Sequence, residues 1–218
     1  MKNGKKLFLI LSLVLLLGAC GRSENAAGSK AGEDLPLLSD GLVLRSMDSY
    51  AGIFVEDGSD DTVDGVCAIT VENTGKKTVQ YAHITLTCGE DAWQFDLSTL
   101  PPGESAQLLE QDRRTMPEKT DGMTASVTNF AVFDSEPSLC DEMFDIKTQD
   151  NAITVTNHSN QDVTGPVYVY YKAANGKLYM GGITYRVKFS GLAAGESATG
   201  YAGHFAKDSR LMFVTYVP

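Results

Sequence analysis

Alternation of apolar and polar residues with a period of two is the feature that most constrains how this chain folds. Successive side chains of a strand point to opposite faces, so a strand that covers a core on one side alternates in this way. The pattern occurs in four stretches, over residues 67–71, 84–88, 93–97 and 183–189. No stretch keeps an apolar period of 3.6 residues over the length of a helix. The sequence therefore predicts an all-β fold of antiparallel strands.

The dipeptide Asn175-Gly176 is the strongest local turn feature in the chain. It lies between two stretches of strand-forming residues, 167–172 and 178–180. Asn-Gly in this setting is typical of a two-residue β-hairpin loop. The sequence therefore predicts a hairpin that joins these two strands.

Short segments recur in the same order along the chain. Residues 69–73 (Ile-Thr-Val-Glu-Asn) match residues 153–157 (Ile-Thr-Val-Thr-Asn), 84 residues later. Residues 101–105 and 193–197 share Gly-Glu-Ser and lie 92 residues apart. The order indicates an internal repeat. The change in spacing predicts about eight extra residues in the second copy, which we place around Tyr179–Phe189.

The repeated order of Val-x-Asn, a polar turn, a β-branched and aromatic strand, and a Gly-Glu-Ser turn resembles the immunoglobulin-like modules common in lipoproteins of Gram-positive bacteria. The resemblance implies two tandem immunoglobulin-like β-sandwiches, an acidic module over residues 39–134 and a tyrosine-rich module over residues 135–218. The Cys…Trp…Cys framework of antibody domains is not matched, because Trp93 follows both Cys67 and Cys88. Modules of this kind are often of unknown function, so the resemblance implies architecture and no activity.

The first twenty residues have the three-part layout of a secretory signal peptide: three lysines, an apolar run over 7–17 and two small residues. The apolar run is shorter than the roughly 20 residues that span a bilayer. The sequence Leu-Gly-Ala-Cys, which ends at Cys20, resembles the lipobox of bacterial lipoproteins. That resemblance implies a signal peptide over residues 1–19, a lipid on Cys20 and an exported protein anchored to the outer face of the cell membrane. The alternative is an ordinary cleaved signal with an incidental cysteine.

A polar segment follows Cys20. Residues 21–34 contain no large apolar side chain, so they cannot bury a core. We therefore expect residues 20–38 to form a lipidated flexible tether.

The charge of the chain is negative and unevenly distributed. The net charge is −10, and removal of a leader with three lysines and no acid makes it −13. Residues 20–134 carry 20 acidic and 8 basic side chains, whereas residues 135–218 carry 8 and 7. Nucleic-acid phosphates require a basic surface, so the sequence predicts no nucleic-acid partner.

Three cysteines remain besides Cys20. Cys67 and Cys88 both lie on apolar faces of predicted strands, and Cys140 is the third. An exported protein can form disulfides, so a Cys67–Cys88 bridge and two buried free thiols are both open. No Cys-x-x-Cys pair exists in the sequence.

Enzyme motifs are absent from the sequence. It contains no Gly-x-Ser-x-Gly, His-Glu-x-x-His or phosphate-binding Gly-x-x-x-x-Gly-Lys-Ser/Thr pattern. The three histidines are far apart in the sequence. We therefore predict no catalytic residues and no cofactor.

An acidic loop is the one candidate for a metal site. Asp57, Asp60 and Asp61 lie within a short run of oxygen ligands of the kind that calcium prefers. The run does not have the spacing of an EF-hand loop. A solvated acidic loop is the alternative.

The best candidate for a binding surface is in the second half, which holds seven of the nine tyrosines. If Val167 and Val169 face the core, Tyr168 and Tyr170 point outward. Together with Arg186 and Lys188 on a nearby exposed face, they would form an amphipathic patch, and Tyr and Arg are enriched where proteins meet partners. The alternative is that these tyrosines only shield a sheet edge or a module interface.

The sequence thus predicts a cell-surface lipoprotein with a non-catalytic binding or scaffolding role at the bacterial envelope. Its expected partners are the membrane, through the lipid on Cys20, and an envelope protein or glycan. An envelope enzyme or a metal-dependent factor with an unrecognised site is the alternative.

Overall fold

A computed structural model describes the backbone of residues 30–31 and the whole of residues 35–218. The predicted leader, Cys20 and most of the predicted tether lie outside the described residues. Within the described ranges the chain forms strands and turns but no α-helix, so it also has no helix that could cross a membrane. The all-β prediction is confirmed. The strands are β1 (Lys30–Ala31), β2 (Leu42–Ile53), β3 (Thr62–Asn73), β4 (Val79–Cys88), β5 (Asp91–Leu100), β6 (Ser105–Leu109), β7 (Thr124–Val132), β8 (Phe144–Gln149), β9 (Ala152–Asn157), β10 (Val167–Lys172), β11 (Ala174–Asn175), β12 (Leu178–Met180), β13 (Tyr185–Phe189), β14 (Ser197–Tyr201) and β15 (Arg210–Tyr216).

The strands form four sheets, two around each of two large apolar cores, and a third, smaller buried cluster contains Phe54, Val66, Ala68 and Leu109. The first core lies between the sheet β1-β2-β3-β6-β12-β11 and the sheet β5-β4-β7. The second core lies between β14-β9-β8 and β13-β10-β15. Neighbouring strands are antiparallel, except for the parallel pair β12 and β6. The predicted sandwich architecture is therefore present.

The period-two pattern accounts for both cores. Ile69 and Val71 on β3 and Phe95 and Leu97 on β5 are fully buried, while the residues between them are more exposed. In the second core, Val167, Val169 and Tyr171 of β10 are buried in the same way. Burial of one such large apolar side chain contributes roughly 1.5–3 kcal/mol, so the alternation fixes which face of each strand points inward.

Two buried asparagines make the same contacts in the two halves. Asn73 Nδ2 donates to the carbonyls of Lys77 (3.0 Å) and Leu100 (2.7 Å). Asn157 Nδ2 donates to the equivalent carbonyls, those of residues 161 (2.7 Å) and 192 (3.0 Å). Each Asn backbone amide also donates to the carbonyl of the Glu in a Gly-Glu-Ser turn. The recurring sequence segments therefore build the same strand-to-turn connection twice.

The extra residues of the second half lie in a segment that overlaps the predicted stretch Tyr179–Phe189 but begins before it. β4 and β5 are joined by a two-residue turn, whereas β10 and β13 are separated by residues 173–184, which we call the inserted segment. It contains the hairpin β11–β12, with Gly176 at φ +60° as the first loop residue. The expected hairpin between residues 167–172 and 178–180 is therefore wrong, because β10 pairs with β13 and β15 while β12 adds to β6 in the first half of the chain.

Packing contacts begin before residue 38, the predicted end of the tether. Leu35 and Leu38 pack against the first core. The connection between the halves also makes hydrogen bonds: Thr78 Oγ1 donates to Glu136 Oε1 (2.6 Å) and the Val214 amide donates to the Ser138 carbonyl (2.9 Å). The connection is thus bonded to the residue before β4 in the first half and to β15 in the second.

A buried amine and a buried carboxylate connect the inserted segment to the first half. Lys172 is fully buried, and its Nζ donates to the carbonyls of Ser98, Gly182 and Ile183, each at 2.9 Å. Glu56 accepts from the amides of Leu109 (2.8 Å) and Gly182 (2.9 Å). Burial lowers the pKa of Lys172 to about 7, opposed by the charge of Glu56. Burial likewise raises the pKa of Glu56. We call this arrangement the junction.

Candidate binding surface

The structure brings together the four residues that the sequence singled out as a patch. In the β10–β13 ladder, Tyr168 lies directly opposite Lys188 and Tyr170 lies directly opposite Arg186. The four side chains share one face because they alternate with the buried Val167, Val169, Val187 and Phe189. Arg186 and Lys188 are exposed and the two tyrosines are half-buried.

Two phenylalanines that the sequence did not single out extend this patch. Tyr170 stacks on Phe213 of β15, with ring centroids 4.2 Å apart and planes 11° apart. Phe213 in turn meets Phe133, which directly follows β7, edge to face at 5.5 Å. Tyr168 and Tyr170 have centroids 6.5 Å apart. The resulting row of four rings, together with Arg186 and Lys188, is called the aromatic–cationic face below.

The two cations of this face are positioned by its rings. The Arg186 guanidinium lies 4.8 Å from the centroid of Tyr168, and Lys188 Nζ lies 5.9 Å from it. Such contacts are worth roughly 0.5–1 kcal/mol at exposed sites. The Arg186 pKa is raised, first by its hydrogen bond with Tyr170. Neither cation makes an ion pair with another described residue, so both charges are free to meet a ligand.

The acidic loop does not assemble as a cation site. Asp57 and Asp61 both bind Arg113, at 2.9 and 3.0 Å, and the Asp57 pKa is lowered, first by its hydrogen bonds with Ser59. Asp60 instead meets His204 Nδ1 at 3.0 Å. The described residues contain no group of three or more His, Cys, Asp or Glu side chains that could hold a metal ion. The predicted calcium ligands are therefore used in contacts within the protein.

The structure also decides between the two alternatives for the cysteines, a disulfide bond or free thiols. Cys67, Cys88 and Cys140 are free thiols, so the Cys67–Cys88 disulfide is not formed. Cys67 faces the core from the middle of β3, and burial raises its pKa to about 12. Cys88 ends β4, with its Sγ 3.6 Å from the carbonyl of Lys119. Cys67 therefore behaves as a small apolar core residue.

One polar cluster was missed by the sequence analysis. Asp96 on β5 accepts hydrogen bonds from Tyr81 (2.6 Å), His83 (2.8 Å) and Gln111. Burial acts to raise the Asp96 pKa, but these three hydrogen bonds outweigh it and the pKa is lowered. The cluster borders a cavity of about 220 Å³ that also contacts Glu56. None of its members is a Ser or Cys nucleophile.

The comparisons with known proteins add no family to this picture. No protein-family model matches the chain, and the search of curated proteins finds none that is similar to it. The functional argument therefore rests on the residues of the aromatic–cationic face.

Proposed function

We propose that this protein is a cell-surface lipoprotein of a bacterium that binds an envelope component without catalysing a reaction. The observation that carries the proposal is the aromatic–cationic face, on which half-buried rings stand next to two cations without carboxylate partners. Aromatic residues and arginine are enriched where proteins meet partners, because they combine a large apolar area with directed polar groups. The partner class is an envelope protein or glycan.

The anchoring part of the proposal rests on the sequence of the leader. Two acyl chains hold a protein stably on a membrane where one chain does not. Labelling of cells with radioactive fatty acid, with a Cys20→Ser variant as the control, tests it. We expect label on the wild type and none on the variant, whereas a wild-type protein without label would contradict a lipid on Cys20.

The binding part is tested with a Tyr168→Ala/Tyr170→Ala variant of the full mature protein in detergent. Sedimentation with isolated envelope material should show at least a tenfold weaker affinity, which corresponds to about 1.4 kcal/mol. Tyr201 is exposed on the edge strand β14, so Tyr201→Ala is the matched control and should bind as the wild type does. Equal binding by the double variant would refute the proposed surface.

Because Tyr170 packs on Phe213, the double variant needs a check on folding. A Tyr168→Ala single variant leaves that stacked pair intact and should still weaken binding. Thermal unfolding of each variant, followed by circular dichroism, establishes that a loss of affinity does not come from unfolding.

A further inference from the structure

The charges on the aromatic–cationic face point to the chemistry of its ligand, an inference that rests on the proposed binding function. Arg186 is the one arginine of residues 35–218 without a carboxylate partner, since Arg45, Arg113, Arg114 and Arg210 all make ion pairs. Every other guanidinium in this part of the chain is neutralised by the protein itself. Arg186 is thus available for an anion from outside.

The neighbours of Arg186 leave no internal anion to compete for it. The outward positions of the three-stranded sheet are Arg186 and Lys188 on β13, Tyr168 and Tyr170 on β10, and Phe213 and Thr215 on β15. None of these six side chains is acidic. In a chain with a net charge of −10, this face is a local exception to the overall acidity.

The guanidinium is also held in place before a ligand arrives. It lies over the ring of Tyr168 and on the residue directly opposite Tyr170 in the ladder, and the Tyr170 ring is stacked on Phe213. A side chain that is already ordered loses less conformational entropy on binding. A planar guanidinium of this kind matches the paired oxygens of a phosphate or carboxylate.

The arrangement is linear, which favours a polymer over a single small anion. Arg186 and Lys188 are two residues apart on one strand, so their Cα atoms are separated by about 7 Å. Tyr168 and Tyr170 follow one another along the neighbouring strand β10, directly opposite the two cations, and from Tyr170 the ring contacts turn across the sheet to Phe213 and Phe133. A chain that carries one anion per repeat can therefore place successive charges on the two cations and its backbone along Tyr168 and Tyr170.

We propose that the aromatic–cationic face binds a phosphodiester-linked polyol polymer of the cell envelope. Residues 20–134 carry 20 acids against 8 basic side chains and contribute only Phe133 to this face, so a linear polymer that follows Tyr168, Tyr170 and the two cations stays on the second half of the chain. An anionic bilayer is a plane and presents its charge to a wider area of the protein. Arg and Lys both bind phosphate, Arg as a bidentate fork and Lys as a point charge.

The test uses the full mature protein and poly(glycerol phosphate) as the probe, titrated by isothermal calorimetry at several salt concentrations. An Arg186→Gln/Lys188→Gln variant should bind at least tenfold more weakly. Each phosphate neutralised on a flexible strand contributes about 0.7 to the slope of log affinity against log salt. The wild-type slope should therefore be steeper than that of the variant by about 1.4.

Lys76 and Lys77 are both exposed and make no ion pair with another residue of the described chain. The control is therefore a Lys76→Gln/Lys77→Gln variant, which changes the net charge by the same amount. It should keep the wild-type affinity within about twofold if the effect is local and not due to net charge. Equal losses in the two charge variants would overturn the proposal.

Other probes distinguish a phosphate polymer from the remaining kinds of ligand, which are uncharged sugar, lipid and protein. Neutral dextran that binds as tightly as the phosphate polymer would show that the face recognises uncharged sugar, which overturns the inference. Phosphatidylglycerol vesicles that bind more tightly, with the same dependence on Arg186 and Lys188, would assign the face to lipid and also overturn it. Loss of binding after protease treatment of the envelope would show that the partner is a protein, which likewise overturns the inference.

Failure of this inference can be told apart from failure of the proposed function. If envelope binding is lost in Tyr168→Ala/Tyr170→Ala but unchanged in Arg186→Gln/Lys188→Gln, the surface binds a partner that is not a polyanion. If neither variant loses binding to the envelope, the proposed function itself fails.

Discussion

Replacement of Lys172 by methionine removes the one charged donor of the junction with little change in side-chain volume. The Nζ atom of Lys172 donates to the carbonyls of Ser98, Gly182 and Ile183, and nothing of the side chain is exposed. Methionine fills the same space but donates no hydrogen bond. The variant therefore isolates the contribution of the buried amine.

The three carbonyls that accept from Lys172 keep different numbers of hydrogen-bond donors in the Lys172→Met variant. Gly182 keeps the Ser98 amide (2.7 Å) and hydroxyl (2.9 Å) as donors. Ser98 keeps only the Thr184 hydroxyl at 3.4 Å, and Ile183 loses the one donor recorded for its carbonyl. A buried group left unsatisfied costs about 1–3 kcal/mol. Relief from burying a charged amine offsets part of that cost, so we expect a loss of about 2 kcal/mol at pH 7.

The loss of stability in Lys172→Met depends on pH, and the direction of this dependence follows from the lowered pKa of Lys172. Burial lowers the Lys172 pKa from 10.5 to about 7. Between these two values the native state binds fewer protons at this site than the unfolded state, so stability rises with pH and falls as pH falls. From about pH 7 to pH 9 the wild type should gain about 2 kcal/mol from this group. The difference from Lys172→Met should thus grow to about 4 kcal/mol at pH 9.

The measurement is urea unfolding at both pH values, with tryptophan fluorescence for the first half and far-ultraviolet circular dichroism for the whole. The titrating groups remote from the junction are the same in both proteins, so the difference between the two pH profiles reports Lys172 together with Glu56, the carboxylate whose pKa its charge lowers. Lys147 is 77% exposed, and Lys147→Met should therefore change stability by less than about 0.5 kcal/mol. A Lys172→Met protein as stable as the wild type, or a difference that does not change with pH, would refute the reasoning.

Two further perturbations test the fold by urea unfolding. Asn73→Ala and Asn157→Ala each remove two hydrogen bonds to backbone carbonyls and should each lower the free energy of unfolding by about 2–4 kcal/mol. Asn160 is exposed, so Asn160→Ala is the control. A loss of stability in only one of the two Asn variants would contradict the equivalence of the two turns. In Gly182→Ala the new Cβ would clash with a backbone carbonyl of β5, and the variant should lose more than about 3 kcal/mol of stability. In Gly203→Ala the new Cβ meets open space, and the loss should be less than about 1 kcal/mol. Equal stability of these two variants would show that the inserted segment is not held against β5.

Much of the fold is predictable because its determinants are local. A strand over a core must alternate, so the inward positions of β3, β5 and β10 follow from the sequence alone. The outward direction of Tyr168 follows by the same rule. The recurrence of Asn73 at Asn157 likewise reflects a local need, since the same turn requires the same side-chain donor.

The junction was not predictable because its partners are far apart in sequence. Asn175-Gly176 specifies a tight turn, but nothing local specifies that β12 will add to β6 in the other half of the chain. Lys172 follows Tyr171 at the end of a strand, a position that is usually exposed for lysine. Its burial depends on carbonyls from Ser98 and the inserted segment, which only the tertiary fold brings together. The partner of the acidic loop, Arg113, is separated from Asp57 by 56 residues for the same reason.

The junction and the aromatic–cationic face are physically linked, and this affects the shape of the proposed binding surface. Phe133 directly follows β7 of the first half, whereas Phe213 and Tyr170 belong to the second. The row of rings is therefore complete only when the two halves keep their relative position. Lys172 at the end of β10 and the added strand β12 are contacts that oppose a change in that position. A flexible connection between the two halves would expose Phe133 and shorten the row of rings. The buried amine of Lys172 is costly to desolvate, and its presence indicates selection for a fixed surface over maximal stability.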